Sequence, residues 1–210
     1  MAGVGRQRPR YAEERAAPKA AEAVRPGYEQ WGVDGYYSLH GADYENPHES
    51  QVAAALARTV EQGWLRTGER VLDLCCGSGE VTRQLPLCDV TGLDPYTGDA
   101  YYARTGKRAL ELDFRAVAAG RLTGRFDAVV SSFALHLCPP SLLPALLWQL
   151  ARVSARLIVM SPHKRPDCEG VSGWRGGGFF SEQRVRCSLY RHDSGAEVGA
   201  WIGGAGRVDG

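Results

Sequence analysis

The stretch "VLDLCCGSGEV", Val71–Val81, decides how this chain is read. It begins as an apolar run that suits a buried strand. It breaks at Gly77, Ser78 and Gly79, and the pattern after the break is helical. A strand that stops at a glycine turn raises the question of what the turn holds: a dinucleotide, a phosphate, something else or nothing.

Working outward, strand 1 covers Arg70–Leu74 and the turn opens a helix at about 79–86. Strand 2 is Asp89–Leu93, ending at Asp94 with Pro95 as its stop, and a short helix covers 98–105. Strand 3 is Arg108–Leu112, ending at Asp113. Strand 4 is Asp127–Ser132. Pro139 and Pro140 open a helix to about 153, with Leu142, Leu146, Leu150 and Val153 on one face, and strand 5 is Arg156–Met160. Upstream, Val52, Leu56, Val60 and Trp64 mark one apolar stripe of a helix over 49–65. Downstream, "SPHKRPDCEGVSGWRGGGFF" reads as loop, and Arg184–Arg191 with Val198–Ile202 reads as a closing hairpin around "HDSGA".

Strands alternating with helices, with continuous apolar strands, predict an α/β fold: a doubly wound, mostly parallel sheet with helices on both faces. Such sheets bind ligands beyond the carboxyl ends of their strands, where the order reverses. That rule selects Asp73 to Gly79, Asp94, Asp113 and residues 131–137. The expected organisation is an N-terminal extension over 1–27, a cap and helix over 28–66, the main domain over 67–203 and a flexible tail over 204–210. The cap is dense in aromatics, and Trp31, Tyr36, Tyr37 and Tyr44 are expected to pack over the main domain.

Composition narrows the function. The 210 residues are 44% hydrophobic, and 25 basic residues nearly cancel 24 acidic ones, so no global field recruits nucleic acid or membrane. The six cysteines follow neither a zinc pattern nor a secreted framework, and no metal is expected. Reduced, mostly buried thiols in a cytoplasmic protein fit this usage. The N-terminus lacks the apolar core of a secretory signal, and no apolar run suits a membrane span.

The turn itself discriminates among ligands. A dinucleotide turn reads G-x-G-x-x-G; here the glycine positions run Cys75, Gly77, Gly79 and, three residues later, Thr82, so the last glycine is not met and the match is poor. No lysine follows Gly79, which removes the phosphate loop. Asp73 at the strand end repels a pyrophosphate and attracts an ammonium. Asp94 can hold the two hydroxyls of a ribose. Asp113 can accept from an adenine amino group, with Phe114 against the ring. An amino-acid head, a ribose and an adenine together describe S-adenosylmethionine.

In these segments the chain resembles a class I, seven-stranded S-adenosylmethionine-dependent methyltransferase of the type 11/25 group. "VLDLCCGSGE", "VTGLD", "LELDF" and "FDAVVSSFALHL" are similar to its four motifs, in order and spacing, over about residues 49–160. The resemblance implies the strand order 3-2-1-4-5-7-6. It implies that Cys75, Gly77 and Gly79 pass the methionine part of the cofactor, with Asp73 beneath it, reaching the amino group directly or through water. Asp94 falls to the ribose, Asp113 and Phe114 to the adenine, and Ser131 and Phe133 to the flanks of the sulfonium, with Pro95 also among the cofactor-binding residues.

Plainer readings stand beside these. Asp94 before Pro95 suits a turn start, Asp113 a helix cap, and Cys75 and Cys76 simple packing. His136 and Tyr37 are the candidate catalytic residues; His136 equally suits packing under Pro139. The basic residues Lys164, Arg165, Arg175, Arg184, Arg186 and Arg191 suit either an anionic partner or the solvent face of an edge strand. The expected activity is methyl transfer by direct displacement to a small-molecule acceptor, in a monomer or homodimer. The alternatives are an RNA methyltransferase or a cofactor-binding subunit inactive without its partner, the latter prompted by a C-terminus that closes the sheet poorly.

Overall fold

The computed structural model describes Gly32 and residues 35–193. The extension over 1–27, the expected strand Val198–Ile202 and the tail over 204–210 lie outside the described residues. In chain order the elements are α1 (Glu49–Glu61), β1 (Arg70–Leu74), α2 (Glu80–Gln84), β2 (Asp89–Leu93), α3 (Gly98–Thr105), α4 (Phe114–Ala118), β3 (Ala128–Ser132), α5 (Leu143–Val153), β4 (Arg156–Ser161), β5 (Trp174–Glu182) and β6 (Val185–His192). Among the described residues no helix is long and apolar enough to cross a membrane.

The strands form one sheet in the order β2-β1-β3-β4-β6-β5. β1 pairs in parallel with β2 on one side and β3 on the other, and β3 pairs in parallel with β4. The order therefore reverses beside β1, and the glycine turn sits at that switch point. β6 runs antiparallel to both β4 and β5.

Strand alternation divides the core into two layers. Val71, Val90, Val130, Ile158 and Met160 face α1 and α2, meeting Val52, Ala55, Leu56 and Val81. Leu72, Leu74, Val129, Leu157 and Val159 face α4 and α5, meeting Val117, Leu146, Leu147 and Leu150. Tyr101 of α3 is fully buried; its ring lies so close to Gly92 in β2 that a Cβ there would meet the ring carbon Cζ at 2.5 Å.

The apolar stripe of α1 differs from the expected one. Val52 and Leu56 are buried, but Val60 is 44% exposed and Thr59 takes the inward place. A strict spacing of four drifts about 40° per step around a helix, so two steps carry Val60 off the buried face. The Thr59 hydroxyl satisfies itself by donating to Ala55 O at 2.8 Å.

The expected strand 3, Arg108–Leu112, is reduced to one bridge, Leu93↔Leu110. Leu110 donates to Gly92 O at 2.8 Å and accepts from Asp94 N at 3.0 Å. The next bond, Leu112 N to Leu110 O at 2.9 Å, is a γ-turn. It ends the extension and swings Asp113 inward. Among the described residues the sheet therefore has six strands, in the expected order without the outermost one.

The closing hairpin is also different. The partner of β6 lies upstream, in Trp174–Glu182, within a stretch that reads as loop. Gln183 and Arg184 form the turn, with φ of 44° and 69°. That is the left-handed geometry of a two-residue hairpin loop, normally signalled by Asn-Gly. Trp174 is fully buried and anchors β5, its indole N–H donating to Leu147 O at 3.0 Å. The hairpin thus extends the described sheet beyond β4, with β5 at its edge.

Candidate active site

The glycine turn after β1 holds three left-handed residues: Cys75 (φ 60°), Gly77 (φ 54°) and Gly79 (φ 91°). Cys75 adopts that conformation with a side chain, at a cost of about 1 kcal/mol. The turn is stapled to the end of β2. Cys76 N donates to Leu93 O at 3.0 Å, Gly77 N donates to Asp94 Oδ2 at 3.3 Å, and the Thr97 hydroxyl donates to Gly77 O at 2.8 Å. Asp94 Oδ1 accepts from Tyr96 N at 2.9 Å and Thr97 N at 3.1 Å. Asp94 is thus a turn start, and it also lines the cavity that the turn encloses.

That cavity, about 460 Å³, opens at the carboxyl ends of β1, β2 and β3. Asp73, Cys75, Gly77, Asp94, Pro95, Asp113, Phe114, Phe133 and Tyr37 line it, as do Glu80, Tyr44, Asn46, Tyr96, Ser132 and Leu142. Asp113 caps α4 as well, Oδ1 accepting from Ala116 N at 2.6 Å. Three residues selected from the sequence are elsewhere. Gly79 caps α2 and packs on α3. Ser131 is one position early: Asp73 pairs with Val130, so alternation turns Ser132, not Ser131, toward the face of Asp73. His136 is exposed, its ring edge-on to His163 with centroids 5.8 Å apart, outside the lining.

Burial dominates the electrostatics. Asp73 is 1% exposed, and desolvation pushes its carboxyl up to about 7 against the pull of the Thr82 hydroxyl. The nearby Glu80 and Asp94 charges push the same way. Asp94 is also raised by burial, opposed by the main-chain donors that it accepts from. Among the described residues, Asp73 Oδ1, Ser131 Oγ and Ser132 Oγ are buried without a hydrogen-bond partner. A buried carboxylate oxygen left open inside a cavity calls for a donor from a ligand.

The cap lies directly on this floor. A Cβ on Gly41 would fall 2.5 Å from Tyr96 O, and one on Gly77 would fall 3.2 Å from Tyr44 Cε1. The Tyr37 ring stacks with Tyr96 at 6.1 Å, and His48 stacks on Phe133 at 5.0 Å. Trp31 lies outside the described residues.

Sequence reasoning passed over Thr82 and Tyr101. Thr82 fills the slot of the third dinucleotide glycine, which here serves another purpose. Its hydroxyl donates to Asp73 Oδ2 at 2.9 Å, and Tyr101 OH lies 3.0 Å from the same oxygen of Thr82. With the threonine proton committed to Asp73, Tyr101 donates to Thr82. A hydroxyl nine positions after a strand-end acid was the available signal.

Gly79→Ala tests the turn. The new Cβ would fall inside contact distance of Thr105 Cγ2 and at 3.3 Å from the Tyr101 ring, at φ 91°. A loss of about 1–3 kcal/mol in denaturant unfolding is expected. A loss below about 0.5 kcal/mol, the usual size for a surface change, overturns it.

Comparison with known proteins accords with this geometry. The family described as a methyltransferase domain matches residues 71–156, from β1 to the start of β4. The chain is 30% identical to an uncharacterised protein of Schizosaccharomyces pombe, over a match that covers 74% of this chain and 81% of that one. It is 39% identical over 139 residues to trans-aconitate 2-methyltransferase of Deinococcus radiodurans, covering 63% of this chain and 49% of that enzyme. Magnesium protoporphyrin IX methyltransferase from Synechocystis PCC 6803, crystallised with bound S-adenosylmethionine, shares the fold. Its TM-score is 0.54 at 18% identity, covering 85% of this chain and 100% of that one. Strand order, glycine turn and family match agree: the chain belongs to the class I S-adenosylmethionine-dependent methyltransferases.

Proposed function

We propose that this methyltransferase acts on a small-molecule acceptor held between the cap and the loop after β3. The observation that carries this reading is the uneven lining of one cavity. Its acids, Asp73, Glu80, Asp94 and Asp113, lie around the glycine turn and the ends of β1, β2 and the Leu110 bridge. The rest of the wall is mostly aromatic and aliphatic, with Tyr37, Tyr44, Phe133, Leu137 and Leu142, and carries Arg115, Asn46 and Ser132 as its polar members. The acidic half suits the cofactor. Asp73 Oδ1 takes the ammonium, Asp94 a ribose hydroxyl and Asp113 the adenine amino group, with Pro95 and Phe114 against the ring. At about 460 Å³ the cavity is at the small end of the roughly 300–1,000 Å³ usual for ligand sites, which leaves little room beside a nucleoside-sized cofactor.

S-adenosylmethionine, when bound, supplies a methyl group already made electrophilic by its sulfonium. The chain's own part is to align and to exclude water. Ser132 and Phe133, at the end of β3, flank the reacting centre, and alignment of this kind supplies several kcal/mol of a barrier. Phe133 is held at φ 54° by the bond from its N–H to Met160 O at 2.8 Å and by the His48 ring. Tyr37 faces the acceptor side and is placed to hydrogen-bond it. His136 lies outside the cavity lining, its ring edge-on to His163.

The trans-aconitate enzyme makes small organic acids one class to try, beside amines and nitrogen heterocycles. Purified protein incubated with S-adenosylmethionine and panels of each class should form S-adenosylhomocysteine and a methylated product with at least one class. Turnover with RNA or protein substrates alone would sink the small-molecule reading.

A further inference from the structure

Arg104, at the end of α3, lies outside every motif that the fold and cofactor account for, yet it makes four side-chain bonds to three separate parts of the site. Its Nη1 donates to Ser78 Oγ at 2.9 Å, in the glycine turn, and to Glu80 Oε1 at 3.3 Å, at the start of α2. Its Nη2 donates to both carboxylate oxygens of Glu49, at 2.8 and 2.7 Å. Glu49 is the first residue of α1, three positions after Asn46 of the cavity wall. Ser78 closes the circle by donating to Glu80.

We infer that Arg104 is a positioning residue that fastens the cap over 35–48 to the cofactor turn, so that cofactor binding and closure of the acceptor wall are one coupled event. The inference rests on the reading of the cavity as the cofactor site. The physical reason is the guanidinium fork. A planar cation with fixed donors can hold Glu49 on one edge and the Ser78–Glu80 pair on the other, which a point charge cannot do. The Arg104 side chain is 23% exposed, that of Glu80 5% and that of Glu49 35%, so solvent screens the Glu80 end weakly and the Glu49 end more. Each end bears on the cavity: Glu80 lines it directly, and Glu49 sets where α1 begins, hence where Tyr44 and Asn46 fall. Tyr44 in turn lies over Gly77 of the turn that Ser78 belongs to. The bridge and the Tyr44 contact thus join the same two parts of the site by independent routes. Arg83 also reaches Glu49, at 2.6 Å, but touches neither Ser78 nor Glu80, and serves as the control.

The test is calorimetric titration of the full chain with S-adenosylhomocysteine, with backbone hydrogen exchange read over 35–48. Arg104→Gln and Glu49→Gln should each weaken binding about tenfold, the scale of one charge-assisted bond, and each should speed exchange over 35–48 in the bound state. The double variant should lose little more than either single one, because both break one bridge. Arg83→Gln should stay within about twofold of wild type, as half-exposed ion pairs usually do. Should Arg104→Gln unfold, Arg104→Lys, which keeps the charge but not the fork, carries the same comparison. Wild-type affinity in the Arg104 variant, losses that add in the double variant, or weakened binding with unchanged exchange over 35–48 would each overturn the coupling while leaving the cofactor site intact. Failure of the wild type to bind would instead overturn the cofactor reading and this inference with it.

Discussion

Asp94→Ala is expected to weaken S-adenosylhomocysteine binding at least a hundredfold, a loss of about 2.7 kcal/mol or more. The carboxylate has two tasks that alanine cannot perform. It accepts from the main-chain N–H groups of Gly77, Tyr96 and Thr97, which joins the glycine turn to the end of β2. It also offers the cavity the remaining lone pair of Oδ2, which a ribose hydroxyl would take. Removing it leaves three poorly solvated donors, at roughly 1 kcal/mol or more each, so stability should fall as well. Asp94→Asn separates the tasks. Its amide oxygen can still accept from Tyr96 and Thr97, but its NH₂ faces Gly77 N–H and cannot accept from a hydroxyl. Denaturant unfolding should therefore find Asp94→Asn within about 1 kcal/mol of wild type, while binding drops at least about tenfold. If Asp94→Ala folds and binds within about threefold of wild type, Asp94 does not hold the ribose.

The second large effect is a dependence on pH that runs in opposite directions for folding and for binding. Burial raises the Asp73 carboxyl from its ordinary 3.8 to about 7. Between those values the native state keeps a proton that the unfolded chain has released. The Asp73 contribution to stability is therefore most favourable below about pH 4, declines as pH rises to about 7, and is constant above that. Binding works the other way, because an ammonium pairs only with the ionised form. Affinity for S-adenosylhomocysteine should be greatest above about pH 7 and fall about tenfold per unit well below it, with proton release on binding near neutrality. Asp73→Asn keeps an oxygen for the Thr82 hydroxyl, removes the charge and should remove both slopes. Its unliganded form should be at least as stable as wild type at about pH 8, while its affinity falls about 10–100-fold, the range for losing a hydrogen bond between charged groups. Titrations at about pH 5.5, 6.5 and 8 decide the matter: wild-type affinity that stays flat across them would show that Asp73 does not meet the ammonium.

Much of the floor of the site was legible in order along the chain. A parallel strand feeds its ligand site at its own carboxyl end, so Asp73, Asp94 and Asp113 can be found by asking which residue follows each apolar run. β1 and β2 fall where their apolar runs do, because buried parallel strands are apolar on both faces and end where polarity begins. The hairpin failed the same test for a stated reason. Gly176, Gly177 and Gly178 hide an edge strand under loop composition, and Gln183–Arg184 takes a left-handed turn without the residues that usually announce one. The selection of Ser131 over Ser132 missed by one residue, which in a strand is the difference between opposite faces.

By itself, then, the sequence determined the alternation of strands and helices, the glycine turn at the switch point and the acids that follow the strands. These are local properties, written in consecutive residues and their periodicity. Only the tertiary structure decided which side chains meet. It brought Thr82 and Tyr101 to Asp73, set the cap rings over Gly77 and Tyr96, turned His136 outward and joined Glu49, Ser78 and Glu80 through Arg104. Glu49 and Arg104 are 55 residues apart in the chain and 2.7 Å apart in space. Nothing in the spacing of either residue encodes that contact, because it depends on how α1 and α3 pack beside the same turn.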